Sequence, residues 1–164
     1  MAKKKAFQYK IPKPMQYTNP TREFQRKSGG TELTGYVDGQ RASDIEEIWY
    51  RATVILMQQG RILGYDFQPS YIAGQNMPGE VRVDFLWKIP PPQPIFLDGE
   101  FAHKSAEQIA RDIEQMDRLD ERLSGYALPS IRIPGDLLKE GNEVNLERTM
   151  VVANKVLAGE TEFA

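Results

Sequence analysis

The sequence predicts a mixed α/β or α+β domain built around one central sheet. A helical pattern comes first, a region of short strand patterns follows, and a helix, a strand and a last helix complete the order. The chain has 164 residues, of which 40% are hydrophobic and 27% charged, and this suits a single globular domain with a sizeable core.

Helical periodicity predicts three helices, over residues 44–59, 105–123 and 144–157. Ser43 and Glu46 form a capping-box pattern at the start of the first helix, and Gly60 follows its end. The second helix carries a regular apolar stripe with charges on its other faces, and Gly125 follows it.

Short runs of β-branched and aromatic residues predict four strands, over residues 67–73, 81–87, 94–98 and 130–133. The first two are separated by a turn-forming stretch over residues 74–79. Three prolines at 90–92 separate the second strand from the third, because consecutive prolines do not fit inside a sheet.

The N-terminal region differs in charge from the rest of the chain. Residues 1–30 contain eight Lys or Arg against one acid, Glu23, so they carry a net charge of +7 and leave −9 for the remainder of a total of −2. We interpret residues 1–40 as a Pro- and Gly-rich arm, 41–158 as the folded domain and 159–164 as a tail. A basic arm on an acidic body fits polyanion binding, and a solubilising disordered tail is an equal alternative.

Several classes of protein are disfavoured by composition. The chain has no cysteine, which excludes a disulfide framework and a thiolate metal site. No apolar run approaches the roughly 20 residues that a membrane span needs, and the basic start is followed by no apolar signal segment. We therefore expect no membrane partner and a cytoplasmic location.

Two aspartates stand at predicted strand positions where acids are uncommon. Asp84 lies within an apolar strand, and Asp98 ends the next strand fourteen positions later. If the two strands pair, both carboxylates can enter one cleft and bind a divalent cation, the arrangement that metal-dependent phosphodiester hydrolysis requires. A capping or turn role is the alternative for each acid.

The segment after Asp98 contains further candidate residues. Asp98-Gly99-Glu100-Phe101-Ala102-His103 combines two acids with the single histidine of the chain. An ordinary surface position is the common role of a lone histidine, but beside two acids at a strand end His103 becomes a candidate general acid, general base or phosphate contact.

The stretches 83–85 and 94–103 resemble the core of the PD-(D/E)XK nuclease superfamily, in the branch of the very-short-patch mismatch repair endonuclease and its phage and bacterial relatives. Ser43-x-x-Glu46 and Phe67-Gln68 are similar to the first-helix glutamate and the glutamine strand of that branch. With residues 111–133 as its last helix and strand, the resemblance covers about residues 43–138. It implies a restriction-endonuclease-like central mixed sheet flanked by helices.

The resemblance implies a magnesium or manganese site. Asp84 would be the main metal ligand, Leu97 would offer its backbone carbonyl, and Asp98 would lie near the metal and its water. Oxygen ligands without cysteine favour Mg²⁺ or Mn²⁺ over zinc.

The resemblance also implies roles for residues around the metal. His103 would contact the scissile phosphate or act as acid or base, and Gln68 would touch metal-bound water or phosphate. Glu46 would orient the site from the first helix, with Glu47 as the alternative and helix capping as a full explanation of Glu46. Glu100 stands where the superfamily has its lysine.

Two functions follow as expectations. The first is a magnesium-dependent DNA endonuclease. The second is a structural or docking protein, such as a phage particle component, that reuses the nuclease fold and binds phage or host proteins through the arm. The cytoplasm of a bacterium or of a phage-infected host suits the first, and a virion suits the second.

Deletion of residues 1–30 should weaken DNA binding and flatten its salt dependence, because each phosphate that the arm neutralises adds nearly one unit to the slope of log K against log [salt]. Binding titrations of the full and shortened chains at several salt concentrations measure both quantities. Equal affinities and slopes would make the arm a protein-docking element.

Overall fold

The chain forms a mixed α/β structure in the residues that its computed structural model describes, which are 32–71, 80–99 and 105–163. Three α-helices and a four-stranded mixed sheet make up most of this part. The predicted fold class is therefore confirmed at this level.

The three helices lie close to their predicted positions. They are α1 (Asp44–Gln58), α2 (Ala106–Arg122) and α3 (Leu146–Leu157). Ser43 and Ser105 each form a complete capping box, with Glu46 and Gln108 as the respective partners, and Asn145 caps α3. The side chains of these caps satisfy N–H groups that the first helical turn leaves unpaired.

The strands are short and are numbered in chain order within the described residues. They are β1 (Tyr36–Val37), β2 (Gln40–Arg41), β3 (Gly64–Phe67), β4 (Ser70–Tyr71), β5 (Val81–Arg82), β6 (Phe85–Lys88), β7 (Gln93–Asp98), β8 (Ile131–Pro134), β9 (Lys139–Glu140) and β10 (Glu143–Val144). A 3₁₀ turn, Gly135–Leu138, follows β8.

The central sheet has the strand order β3-β6-β7-β8. β6 pairs antiparallel with both β3 and β7, and Phe85 lies opposite Ile95 in the second pair. β7 pairs parallel with β8, so that Asp98 lies opposite Pro134. The two strands that approach Asp84 and Asp98 thus pair with each other, which is the condition stated for both carboxylates to enter one cleft.

Two predicted strands are each divided in the structure. Residues 67–71 change direction at Gln68, whose φ of 54° lies in the left-handed region. The predicted strand 81–87 is divided at Val83 and Asp84, so that β4 and β5 form a separate two-stranded ladder. The Gln68 N–H donates to the Asp84 carbonyl, so the positions at which the two predicted strands are divided are hydrogen-bonded to each other.

The sheet separates two hydrophobic clusters. α1 and α3 cover one face, where Phe85, Trp87 and Ile95 are fully buried. On the other face Leu119 of α2 packs with Val81 and Val83. Most of the inner side of α1 belongs to the large cluster. This packing gives the residues of the first helical turn a rigid support.

The two tryptophans of the chain stack in the large cluster. The ring centroids of Trp49 and Trp87 are 5.2 Å apart and both side chains are fully buried. The Trp87 Nε1–H donates to Thr53 Oγ1, and the Thr53 hydroxyl donates to the Trp49 carbonyl. This contact joins α1 to the middle of the sheet.

Residues 32–40 of the predicted arm and 159–163 of the predicted tail are described, and both stretches contact the folded domain. Residues 36–41 form the β1–β2 hairpin, and Val37 is buried in the large cluster. The Glu47 carboxylate accepts the N–H groups of Thr34 and Gly35, which attaches this segment to α1. At the other end, Phe163 packs against the same cluster. The folded unit therefore extends beyond the predicted range 41–158 on both sides, while residues 1–31 lie outside the described part.

None of the helices in the described ranges has the length and apolar character that a bilayer crossing requires.

Replacing Gly135 with alanine should destabilise the protein by about 1–3 kcal/mol, the usual cost of overpacking a core. A Cβ at Gly135 would lie 2.9 Å from the Asp98 carbonyl oxygen and 3.0 Å from Ile45 Cδ1. Urea denaturation measures the free energy of unfolding. Gly64→Ala is the matched control, because its Cβ would meet only the flexible Lys88 side chain at 3.6 Å. A Gly135→Ala protein as stable as that control would contradict the close approach.

Candidate functional site

Four sequence-predicted residues come together where β3, β6 and β7 meet the first turn of α1. Asp84 immediately precedes β6, Gln68 immediately follows β3, and Glu46 lies on α1. Leu97, near the end of β7, donates its backbone N–H to Asp84 Oδ2 at 2.6 Å. Gln68 Nε2 donates to Glu46 Oε2 at 3.0 Å, which completes the group.

Asp84 has an unusual electrostatic environment. Burial raises its pKa to about 7, from an ordinary value of 3.8. The hydrogen bond from the Leu97 amide acts in the opposite direction, whereas the nearby Glu46 carboxyl raises the pKa further by repulsion and by a hydrogen bond between the two side chains. The positive charge of Arg132 makes a smaller lowering contribution. Two carboxyl groups in close contact are a common feature of sites that bind a cation or hold a proton.

Glu46 caps α1 and also contacts the residues around Asp84. Its Oε1 accepts the backbone N–H of Ser43 and completes the capping box of α1, while Oε2 accepts from Gln68. The helix cap therefore fixes the rotamer of a side chain whose other oxygen faces the group around Asp84. Capping and site formation are compatible because the carboxylate has two oxygens.

Glu47 belongs to a different environment. It is 2% exposed and forms an ion pair with Arg51, with 3.1 Å between Oε2 and Nη2. Its two oxygens also accept the N–H groups of Thr34 and Gly35. Of the two glutamates proposed for the first-helix role, Glu46 is the one that contacts Gln68 and Asp84.

The Asp98 carboxylate has an ion-pair partner on the side of the sheet that α2 covers. The carboxylate is almost fully buried, and Oδ2 accepts from Arg132 Nε at 3.2 Å. Arg132 also donates through Nη2 to Asp112 Oδ2 on α2, at 2.8 Å. The Asp98 side chain is therefore joined to β8 and α2, whereas the Asp84 side chain contacts Glu46 on α1 and the Leu97 N–H on β7.

The remaining predicted residues lie outside the described part of the chain. They are Glu100 and His103, together with the turn-forming stretch 74–79. The roles inferred for the two side chains stay predictions.

The described carboxylates suit a hard cation in chemistry and in number. Glu46 and Asp84 provide carboxylate oxygens, and Mg²⁺ in proteins is commonly held by one or two carboxylates together with waters and substrate phosphates. No group of three or more His, Asp or Glu side chains with metal-binding geometry occurs among the described residues. A cation here would thus depend on oxygen atoms besides the two carboxylates, such as the Leu97 carbonyl implied by the resemblance.

From the sequence, Arg132 is expected only as one of several positive charges near the site, and neither its ion pair with Asp98 nor the place of Asp112 is predicted. Arg132 stands between the buried Ile131 and Ile133 in β8, and a charged residue in such a strand usually has a partner on the opposite face. Asp112 lies three residues after Ile109 and four before Met116, so it shares the inner side of α2 with them. The position of Arg132 between two isoleucines and the helical spacing of Asp112 are therefore the sequence signals that could have indicated this ion pair.

Comparison of the chain with protein-family models, with curated proteins and with solved structures gives no match.

The free energy of unfolding should fall as the pH rises from about 4 to about 7. In that window the folded protein keeps a proton on Asp84 that the unfolded chain releases, and the loss is on the order of 1.4 kcal/mol for each pKa unit. Asp84→Asn should remove this loss because the amide does not ionise. Urea denaturation in EDTA at several pH values measures the effect.

Asp66→Asn serves as the control for this comparison, because Asp66 is a half-exposed acid on β3 paired with Lys88. It should keep the pH dependence of the parent protein. If the Asp84→Asn and parent curves are parallel, the raised pKa of Asp84 is wrong.

Proposed function

We propose that this protein is a metal-dependent endodeoxyribonuclease with a restriction-endonuclease-like fold. The observation that carries the proposal is the convergence of Glu46, Gln68 and Asp84 beside Leu97. These residues were selected through their resemblance to a nuclease family, and they are far apart in sequence. A random set of polar residues would have little reason to meet at one end of a sheet.

The chemistry of the group suits phosphodiester hydrolysis. Asp84 and Glu46, with the Leu97 carbonyl, would hold Mg²⁺ or Mn²⁺, and the cation would activate water and neutralise charge on the phosphate. The Leu97 N–H fixes the orientation of the Asp84 carboxylate, and the Gln68 amide together with the Ser43 N–H fixes that of Glu46. Because both carboxylates are oriented before substrate arrives, little reorganisation is needed on binding.

The buried position of Asp84 also favours cation binding. With a pKa near 7 its carboxyl is partly protonated at neutral pH, and a divalent cation would displace that proton. Asp98 stays a predicted member of the site, with its carboxylate held by Arg132. His103 stays the predicted acid, base or phosphate contact, and the basic N-terminal arm would supply phosphate contacts to DNA.

The second candidate is a docking protein that keeps the fold without cleavage. The presence of Glu100 at the position of the superfamily lysine favours it, and so does the use of Asp98 in an ion pair with Arg132. In this case the group around Asp84 would act in folding alone, through the cap of α1 and the junction of the strands.

Asp84→Asn should abolish the nicking of supercoiled plasmid in Mg²⁺ or Mn²⁺, because it removes the charge of the main proposed ligand. His103→Ala should slow cleavage by about 10²–10⁴-fold, the usual cost of losing a general acid or base. Gel assays with and without EDTA measure both effects. Asp66→Asn is the matched control and should cleave at the parental rate.

A thermal denaturation series separates cation binding from cleavage. Mg²⁺ or Mn²⁺ should raise the melting temperature of the parent protein and of Asp66→Asn, and leave that of Asp84→Asn unchanged. Cation binding without nicking would support the docking protein. Absence of both responses would contradict the proposed metal site.

A further inference from the structure

Arg132 connects three elements that carry or surround the proposed site. It lies on β8, its Nε contacts Asp98 at the end of β7, and its Nη2 contacts Asp112 on α2. The Arg132 side chain is 20% exposed, and its Nη1 also lies 3.7 Å from the Met116 sulfur. A planar guanidinium holds two carboxylates in a fixed relative orientation, whereas a lysine ammonium is a point charge on a flexible stem and does not fix their geometry in this way.

The Asp98 end of this connection is adjacent to the amide that orients Asp84. Leu97 precedes Asp98 in β7, and its N–H donates to Asp84 Oδ2. A shift of the Asp98 backbone would therefore move the Leu97 amide. On its other side the Asp98 carbonyl oxygen lies against Gly135, at 2.9 Å from the position of an added Cβ. The strand end is thus held by its side chain and its backbone.

The Asp112 end supports a helix that has little other burial. Leu119 is the one residue of α2 that is fully buried among the described residues, and it lies in the C-terminal half. Ile113, on the predicted apolar stripe, is 51% exposed. In the described residues the Arg132–Asp112 contact is the ion pair that joins the N-terminal half of α2 to the sheet.

The buried carboxylate of Asp98 limits where the Arg132 guanidinium can lie. The Asp98 side chain is 2% exposed, and a carboxylate so far from water needs a positive partner nearby. Because Arg132 donates to both Asp98 and Asp112, the two carboxylates together determine the position of its guanidinium. Loss of the Asp112 contact would remove the ion pair that holds the guanidinium on the α2 side.

We propose that Arg132 is a positioning residue, which bridges Asp98 and Asp112 and so fixes the end of β7 where the Leu97 amide holds Asp84. It touches neither substrate nor cation in this role. The geometry stands by itself, and the consequence for cleavage rests on the proposed nuclease function.

Two conservative variants test the bridge without leaving Asp98 unpaired. Arg132→Lys keeps a positive charge beside Asp98 but removes the planar fork that orients both carboxylates, and Asp112→Asn keeps the Arg132–Asp98 contact. The control is Asp117→Asn, which makes the same chemical change at an exposed position of α2. Circular dichroism and melting temperature establish that each variant is folded.

The first measurement is the amide resonance of Leu97 in ¹H–¹⁵N spectra, with its hydrogen-exchange rate. The short hydrogen bond to Asp84 should give a downfield, slowly exchanging amide proton in the parent protein. Arg132→Lys and Asp112→Asn should each shift this resonance upfield and speed its exchange several-fold, while Asp117→Asn leaves both unchanged. An unmoved Leu97 amide in the two bridge variants would overturn the proposal, whether or not the protein cleaves DNA.

The second measurement is cleavage kinetics. Arg132→Lys and Asp112→Asn should each lower kcat about tenfold with little change in KM, and the double variant should be no slower than either, since both changes remove one bridge. Multiplicative effects in the double variant would contradict a shared role. If the parent protein does not cleave DNA, the nuclease proposal fails, and the Leu97 measurement still decides the role of Arg132.

Discussion

Burial of α1 is the constraint on which most of this structure depends. Its inner side is inaccessible to solvent along almost the whole helix, between the sheet and α3. This burial fixes the rotation of the helix about its axis, and the capping box fixes where it begins. Glu46 therefore has little freedom to point elsewhere. The carboxylate that faces Asp84 is placed by hydrophobic packing some distance from it.

The same helix shows why neighbouring acids can have different roles. Glu46 and Glu47 are about 100° apart around the helix axis. Glu47 points toward the hairpin segment and Arg51, where its charge is compensated in a buried position. Glu46 points toward Gln68. One acid attaches the N-terminal segment to the domain, and the next contributes to the site.

Sequence patterns predicted the helices well because their signals are local. Ser43 and Glu46 define the start of α1 within a few residues, and the apolar spacing of that helix defines which of its sides is buried. The breaks in the strands were not predictable in this way. Gln68 has a left-handed φ and Asp84 interrupts a run of strand-forming residues, and both depend on a hydrogen bond between distant parts of the chain. The pairing of Asp98 with Arg132 required the parallel register of β7 and β8, which only the tertiary structure supplies.

The stacked tryptophans have a practical consequence for work in solution. Trp49 and Trp87 are the only tryptophans in the chain, and both are shielded from water in the centre of the large cluster. Their fluorescence therefore arises from one place, the contact between α1 and the sheet. An emission spectrum shifted to longer wavelength would signal loss of this core. A ligand that binds at the surface without disturbing the core would leave the emission maximum unchanged.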